Sequence, residues 1–167
     1  MKICMVGTGY VGLVSGTCFA DIGHQVYCVD KDLSKINQLN AGISPIYEPG
    51  LDELIKKNHK AKRLYFTSDL KKAITVSDII FICVGTPNIK GSLKVDLSFV
   101  FKCTKEILAI TKKKKIIVTK STVPIGTGDQ IENIIKKKKK LFSVVSNPEF
   151  LREGEAIRDF RFPDRII

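Results

Sequence analysis

The chain alternates two hydrophobic patterns. Short continuous apolar runs occupy residues 3–6, 26–29, 64–67, 79–84, 116–119 and 141–145. Runs of that length, rich in Val and Ile, predict strands covered on both faces. Between them, apolar residues recur every three or four positions, which predicts helices. The first of these carries Val11, Val14, Cys18, Phe19 and Ile22 on one broad face and stops at Gly23. Others cover residues 33–39, a stretch opened by Pro49 or Gly50 with Leu51, Leu54 and Ile55 inward, and residues 69–75 with Ser68 as the expected N-cap. Two more run over residues 96–110 and through Ile131, Ile134 and Ile135. Strand and helix therefore alternate throughout, which calls for a parallel sheet with right-handed crossovers. The expected fold is α/β, a doubly wound six-stranded parallel sheet in the order 3-2-1-4-5-6. One domain spans residues 1–167, with a sheet core over about residues 1–146 and a segment, 147–167, beyond the last strand.

The turn after the first strand changes this picture from fold to ligand. Gly7, Gly9 and Gly12 make G-x-G-x-x-G between a predicted strand and a predicted helix, and the second strand ends on Asp30. That context marks a Rossmann-like dinucleotide site. Gly7 permits the tight turn, Gly9 lets backbone approach a pyrophosphate, and Gly12 lets helix pack on strand. The helix start offers free N–H groups and the positive end of its dipole to phosphate. Asp30 is placed to accept hydrogen bonds from the adenosine ribose and would repel a 2′-phosphate, so the expected cofactor is NAD rather than NADP. Lys35 lies close to the adenosine end of the same cofactor.

Composition adds mainly exclusions. At 44% apolar and 27% charged residues, the chain reads as a soluble globular domain. No apolar run approaches the roughly 20 residues needed to span a bilayer. No secretory leader precedes the first strand, so the expected setting is cytoplasmic, without a membrane partner. Cys4, Cys18, Cys28, Cys83 and Cys103 form no C-x-x-C, and none has a histidine at ligand spacing, so they read as small buried hydrophobes with no metal site. His24, in a turn, and His59, in a basic loop, receive no role. The net charge of +11 is concentrated in two lysine runs, residues 112–115 and 136–140. Both follow helices and precede strands, so they belong at the amino ends of the strands, solvated and away from the ligand crevice. No aromatic residues are interleaved with them, and no nucleic-acid partner is expected.

Three further motifs fall at carboxyl ends of strands: G-T-P at residues 85–87, K-S-T-V-P-I-G at 120–126 and N-P-E-F-L-R-E-G at 147–154. Each alone reads as a polar turn rich in proline and glycine. Together with the glycine loop they converge on one rim, where parallel sheets bind ligands. With S-P-I-Y-E-P-G-L at residues 44–51, this set resembles the nucleotide-sugar 6-dehydrogenases over the whole chain. The ending P-D-R-I-I, residues 163–167, is more similar to the UDP-glucose branch of that family than to its GDP-mannose branch.

The resemblance implies oxidation of a sugar C6 alcohol to a carboxylate with two NAD, through an aldehyde captured by a cysteine and a thioester that is then hydrolysed. It implies that Gly7, Gly9, Tyr10, Val11 and Gly12 hold the pyrophosphate and that Asp30 and Lys35 hold the ribose. Thr86, Ser121, Thr122 and Val123 would line the cofactor crevice, with Thr122 orienting a catalytic water. Glu149 would serve as general acid/base, and Glu153 would sit near the nicotinamide and that water. Glu149, Phe150, Leu151, Arg152 and Glu153 would contact a nucleotide sugar such as UDP-glucose. If locally helical, Glu149 and Glu153 would share a face. The family also has a central helix and a second domain carrying the nucleophilic cysteine, and no cysteine here lies in a matching motif. The expectation is therefore an N-terminal piece, inactive alone, whose partners are the sugar nucleotide, the missing half and a second copy in a homo-oligomer; the alternatives are a piece of a GDP-mannose 6-dehydrogenase-type enzyme and a stand-alone NAD-binding module without catalysis.

Overall fold

The computed structural model describes residues 1–164. The reading placed on P-D-R-I-I therefore falls largely outside the described residues. The elements are β1 (Lys2–Val6), α1 (Tyr10–Asp21), β2 (Gln25–Val29), α2 (Leu33–Asn40), α3 (Leu51–Lys60), β3 (Leu64–Thr67) and α4 (Leu70–Val76). They continue with β4 (Ile79–Ile82), α5 (Ser98–Ile110), β5 (Lys115–Thr119), α6 (Thr127–Ile135), a 3-10 turn (Lys136–Leu141), β6 (Phe142–Ser146) and α7 (Ala156–Arg161). The strands form one parallel sheet in the order β3-β2-β1-β4-β5-β6, as the alternating pattern predicts.

The sheet is covered on both faces, and β1 shows how. Ile3 and Met5 point into one apolar cluster with Leu13, Val26, Ile55 and Leu64. Cys4 and Val6 point into the other with Ile80, Val100, Ile107, Ile117 and Ile131. Strict alternation with both sides buried is why this strand reads as an unbroken apolar run. Fully buried Leu and Ile side chains of this kind each contribute about 1.5–3 kcal/mol. After β6 the chain leaves the sheet and folds back over α1. Phe160 of α7 meets Phe19 edge-on, with ring centroids 5.0 Å apart, and Arg161 pairs with Asp21 at 2.6 Å.

Several local expectations are corrected. Asp69, not Ser68, caps α4: its carboxylate accepts from the Lys72 N–H at 2.8 Å. A carboxylate near the positive end of the helix outcompetes the preceding hydroxyl. His59 lies within α3 rather than in a loop, stacked on Phe66. Residues 147–152 are not helical, so Glu149 and Glu153 do not share a helix face. Both lysine runs do sit at the amino ends of strands, but Lys115 is not solvated. It is the first residue of β5 and is buried, and its ammonium donates to the Ser77 and Thr75 carbonyls.

Candidate functional site

The site follows from the register of the sheet. Thr67, Val29, Val6, Ile82, Thr119 and Ser146 are paired in one continuous row across all strands. One position further on, the ladder persists as backbone hydrogen bonds. Asp30 donates to Thr67, Gly7 to Val29, Cys83 to Val6, Lys120 to Ile82 and Asn147 to Thr119, at 2.8–3.3 Å. The chemically distinctive residue of each motif thus stands on one rim at the carboxyl edge, where open α/β sheets bind ligands.

A cleft of about 950 Å³ opens over the β2, β1 and β4 part of this rim. Gly7, Gly9, Asp30, Lys31 and Lys35 line one side, and Cys83, Gly85, Thr86, Pro87 and Phe99 line the other. Lys31 holds its ammonium 5.6 Å from the Phe99 ring centre, a cation–π contact at the far end of the cleft. The three glycines divide in role. A Cβ on Gly12 would lie 2.0 Å from the Gly7 carbonyl oxygen, and one on Gly7, which has φ +104°, would lie 2.5 Å from the Cys83 carbonyl oxygen. Those two are demanded by the fold itself. A Cβ on Gly9 would meet no atom within 4 Å, so what it would intrude on is the cleft. Gly9 is also the N-cap of α1 and leaves the helix start without a side-chain cap or an acidic residue in the first turn. Free N–H donors at a helix start beside open space suit a pyrophosphate.

Asp30 lines the same cleft. Its Oδ2 accepts from the Thr8 N–H at 2.9 Å and the Thr8 hydroxyl at 2.8 Å, and its Oδ1 accepts from the Asp32 N–H at 3.1 Å. Lys35 Nζ is 3.7 Å from Oδ2. Burial pushes the carboxyl pKa up, but the hydrogen bonds from Thr8 and Asp32 and the Lys35 charge outweigh it and hold the group below its ordinary value. The acid is ionised and oriented in advance, with most of its free acceptor capacity on Oδ1. Together the open space above Gly9, the bare helix start and the fixed Asp30 fit a dinucleotide bound by pyrophosphate and ribose.

The remaining residues implied by the resemblance are distributed unevenly. Thr86 lines the cleft and donates its hydroxyl to the Thr122 carbonyl at 3.0 Å. Ser121 is buried, its hydroxyl 2.7 Å from the Val84 carbonyl oxygen, while Thr122 is exposed and Val123 packs against the core. Val11 and Gly12 do not line the cleft, and Tyr10 turns its phenol away from it toward Glu48. A second cleft of about 450 Å³ lies on the β5–β6 side, lined by Lys120, Asn147, Glu149, Phe150, Leu151 and Arg152 together with residues of and after α7. Glu149 Oε2 accepts from the Leu151 N–H at 2.7 Å. Arg152 is held by Asp159 at 2.6 Å, and its hydrogen bonds pull the Asp159 pKa down to about 2. Glu153 is exposed and lines neither cleft.

Three residues without a role in the sequence reading are prominent here. Thr8 is fully buried and orients Asp30. Lys120 is 6% exposed, and its Nζ has a single long contact at 3.4 Å, to Asn147 Oδ1. Burial pushes its pKa down, and neighbouring Cys83 and Glu149 act in the opposite sense. Glu48, also 6% exposed, accepts from the Tyr10 hydroxyl and from two distant backbone N–H groups. A buried charged group is the structural signal for the last two, because burial without purpose is unfavourable. Periodicity does not reveal it. Among the described residues no cluster of His, Cys, Asp and Glu is placed to hold a metal ion, and no helix is long and apolar enough to cross a membrane.

Fold, glycine loop and acid together define a dinucleotide-binding domain of the dehydrogenase type. Comparison with known proteins narrows that class. Residues 1–167 match the family model described as the UDP-glucose/GDP-mannose dehydrogenase family, NAD binding domain. The chain belongs to that family, and its cofactor is NAD. Over its full length it is 56% identical to UDP-glucose 6-dehydrogenase of Rhizobium meliloti, and over 99% of its length 53% identical to UDP-glucose 6-dehydrogenase TuaD of Bacillus subtilis. Among solved structures, the UDP-glucose dehydrogenase of Pyrobaculum islandicum is 38% identical with a TM-score of 0.91, covering 99% of this chain. A ternary complex of GDP-mannose dehydrogenase from Pseudomonas aeruginosa is 41% identical with a TM-score of 0.90, covering 98% of this chain. The chain spans 39% and 36% of the two sequence relatives and 39% of each of the two solved chains.

Proposed function

We propose that this chain is the cofactor-binding half of an enzyme that oxidises the C6 alcohol of UDP-glucose to the carboxylate of UDP-glucuronate. The supporting observation is the adjacency of the two clefts across neighbouring strands. Cys83 ends the dinucleotide cleft and Lys120, next in the same rim row, begins the second one. A sugar held beside Glu149 would lie next to the nicotinamide end of the first cleft. Overall, one CH2OH group, one water and two NAD yield a carboxylate, two NADH and three protons.

NAD, when bound, takes up the hydride. The chain's own residues do the rest of what this half contributes. Gly9 and the α1 start hold the pyrophosphate, while Asp30 and Lys35 hold the ribose. Glu149 takes and returns protons as general acid/base. Thr122 orients water through its hydroxyl, with its backbone pinned by Thr86. Glu153 would sit near the nicotinamide and that water. Residues Phe150 to Arg152 form one wall for the sugar nucleotide. UDP-glucose is favoured by two similar sequence relatives, both of them UDP-glucose 6-dehydrogenases. The GDP-mannose reading is kept by the 41% identity to a GDP-mannose dehydrogenase structure.

Five buried, free cysteines support a reducing, cytoplasmic setting, and a second chain segment carrying the nucleophilic thiol is the required partner, with homo-oligomerisation compatible. The test is steady-state turnover of the longer enzyme that contains this chain, with UDP-glucose and GDP-mannose offered separately. UDP-glucose should be oxidised at two NADH per sugar, and Glu149→Gln should lower kcat by about 100-fold or more. Preferential turnover of GDP-mannose, or full activity in Glu149→Gln, would overturn the reading.

A further inference from the structure

Glu48 joins three segments that lie far apart in the sequence. Its carboxylate accepts from the Tyr10 hydroxyl, from the Gly154 N–H at 2.8 Å on the same oxygen, and from the Ile157 N–H at 3.2 Å on the other. The Gly154 N–H also lies 2.8 Å from the Tyr10 hydroxyl oxygen, so phenol, carboxylate and amide close a triangle. Glu48 is 6% exposed and has no cationic partner among the ion pairs of the described residues. A carboxylate buried in this way is held entirely by hydrogen bonds, and removing one donor leaves charge unsatisfied.

The three anchor points are functionally placed. Tyr10 is the first residue of α1, next to Gly9 at the pyrophosphate end of the cleft. Gly154 directly follows Glu153, the last acid of the N-P-E-F-L-R-E-G segment. Ile157 lies at the start of α7, whose packing against α1 fixes that segment over the rim. We infer that Glu48 is a positioning residue that couples the dinucleotide loop to the Glu149–Glu153 segment through Tyr10 and Gly154, so that cofactor binding at α1 is felt at the substrate wall. This rests on the cofactor assignment made above. The coupling is carried by charge-assisted hydrogen bonds from Glu48 to elements whose side chains Tyr10 and Ile157 pack against one apolar cluster, and close packing transmits displacement rather than absorbing it. A mere fold staple would hold the same elements together but would give the segment no dependence on cofactor.

The test is NMR of this chain, following backbone amides during titration with NAD. Wild type should show shifts at Gly9 and at Gly154 and Ile157, all saturating with one dissociation constant. Tyr10→Phe keeps the ring in the core and removes only the hydroxyl. Glu48→Gln turns one oxygen into a donor facing the Ile157 N–H. Each, read at its own saturation with NAD, should lose at least about half of the Gly154 and Ile157 shifts through the missing charge-assisted bond. Arg161→Ala loosens α7 at its other end by removing the Asp21 pair, and should keep those shifts. If Glu48→Gln does not fold, Tyr10→Phe alone decides. NAD shifts at Gly9 with silent Gly154 and Ile157 in wild type, shifts that survive Tyr10→Phe, or equal loss in Arg161→Ala would each overturn the coupling alone. No NAD-induced shift anywhere would overturn the cofactor assignment and the coupling with it.

Discussion

Thr8 grips one oxygen of Asp30 twice, with its backbone N–H at 2.9 Å and its hydroxyl at 2.8 Å. The hydroxyl is fully buried, so replacing it with a methyl leaves the carboxylate short of a donor at nearly constant volume. Thr8→Val should therefore destabilise the domain by about 1.5–3 kcal/mol at neutral pH, the range for a hydrogen bond to a charged group. The pH dependence has a definite sign. The folded pKa of Asp30 is lowered, so its contribution to stability is present above the unfolded value of about 3.9 and fades as pH falls through the folded value. The difference between wild type and Thr8→Val should shrink accordingly on acidification. Urea unfolding at neutral and acidic pH measures it. A difference that does not depend on pH would mean that the hydroxyl acts by packing and not through the carboxylate.

The glycine loop separates binding from folding. Gly9→Val places its side chain in open space, at an extended φ/ψ that any residue adopts, so the fold should be kept and NAD affinity lost. Gly12→Ala drives a Cβ to within 2.0 Å of the Gly7 carbonyl and should reduce the melting temperature before any question of ligand arises. Asp30 should enforce preference for NAD over NADP, since a 2′-phosphate would meet an ionised carboxylate, although Lys31 and Lys35 nearby moderate it. Calorimetric titration of both cofactors, with melting curves for each variant, checks all of this. NADP binding as tight as NAD would remove Asp30 from its assigned role.

The lysine runs should matter little to the cofactor, with Lys115 set apart. Residues 136–140 are exposed and lie at the opposite edge of the sheet from the rim. Neutralising them should leave NAD affinity nearly unchanged at physiological salt, where the Debye length is about 8 Å. Lys115→Ala is different in kind. It removes the buried ammonium that satisfies the Ser77 and Thr75 carbonyls, so a stability loss of about 1–3 kcal/mol is expected. A large drop in affinity after neutralising residues 136–140 would contradict the placement of that run.

What could be read from the sequence follows physical range. Strand order and the rim were legible because buried parallel strands are unbroken apolar runs, and because the residue following each run falls at the carboxyl edge by construction. The roles of Gly7 and Gly12 were legible because the motif encodes close approach. Glu48 was not, because its partners lie 38, 106 and 109 residues away and only the folded chain brings them together. Lys115 and Lys120 looked like ordinary surface charges, since a lysine reveals its burial only through the tertiary packing around it. The helical reading of Glu149 and Glu153 failed because the Glu149 carboxylate accepts from the Leu151 N–H, a local side-chain-to-backbone bond that competes with a helix.

Turnover by this chain alone is the last question, and the chemistry separates it into two steps. NAD should bind, because cleft, glycine loop and Asp30 are all present. The first hydride transfer needs the sugar held with C6 against the nicotinamide, and the described residues offer one wall, the segment from Glu149 to Glu153. Orientation in a complete site lowers a barrier by about 7–11 kcal/mol, and one wall forfeits much of that. The second oxidation needs a thiolate within bonding distance of the aldehyde. All five cysteines are buried and free. Burial pushes Cys18 up to about 11 and Cys83 and Cys103 up to about 12, and raises Cys4 and Cys28 as well. Cys83 borders the cofactor cleft, and Lys120 partly offsets the effect of burial on its thiol. At neutral pH Cys83 nonetheless stays a thiol, unlike an activated cysteine. Purified chain incubated with NAD and UDP-glucose should therefore give no sustained rise in NADH absorbance and no UDP-glucuronate. Two NADH per sugar from this chain alone would mean that Cys83 is activated in a way this structure does not contain, and Cys83→Ser would then be the decisive variant.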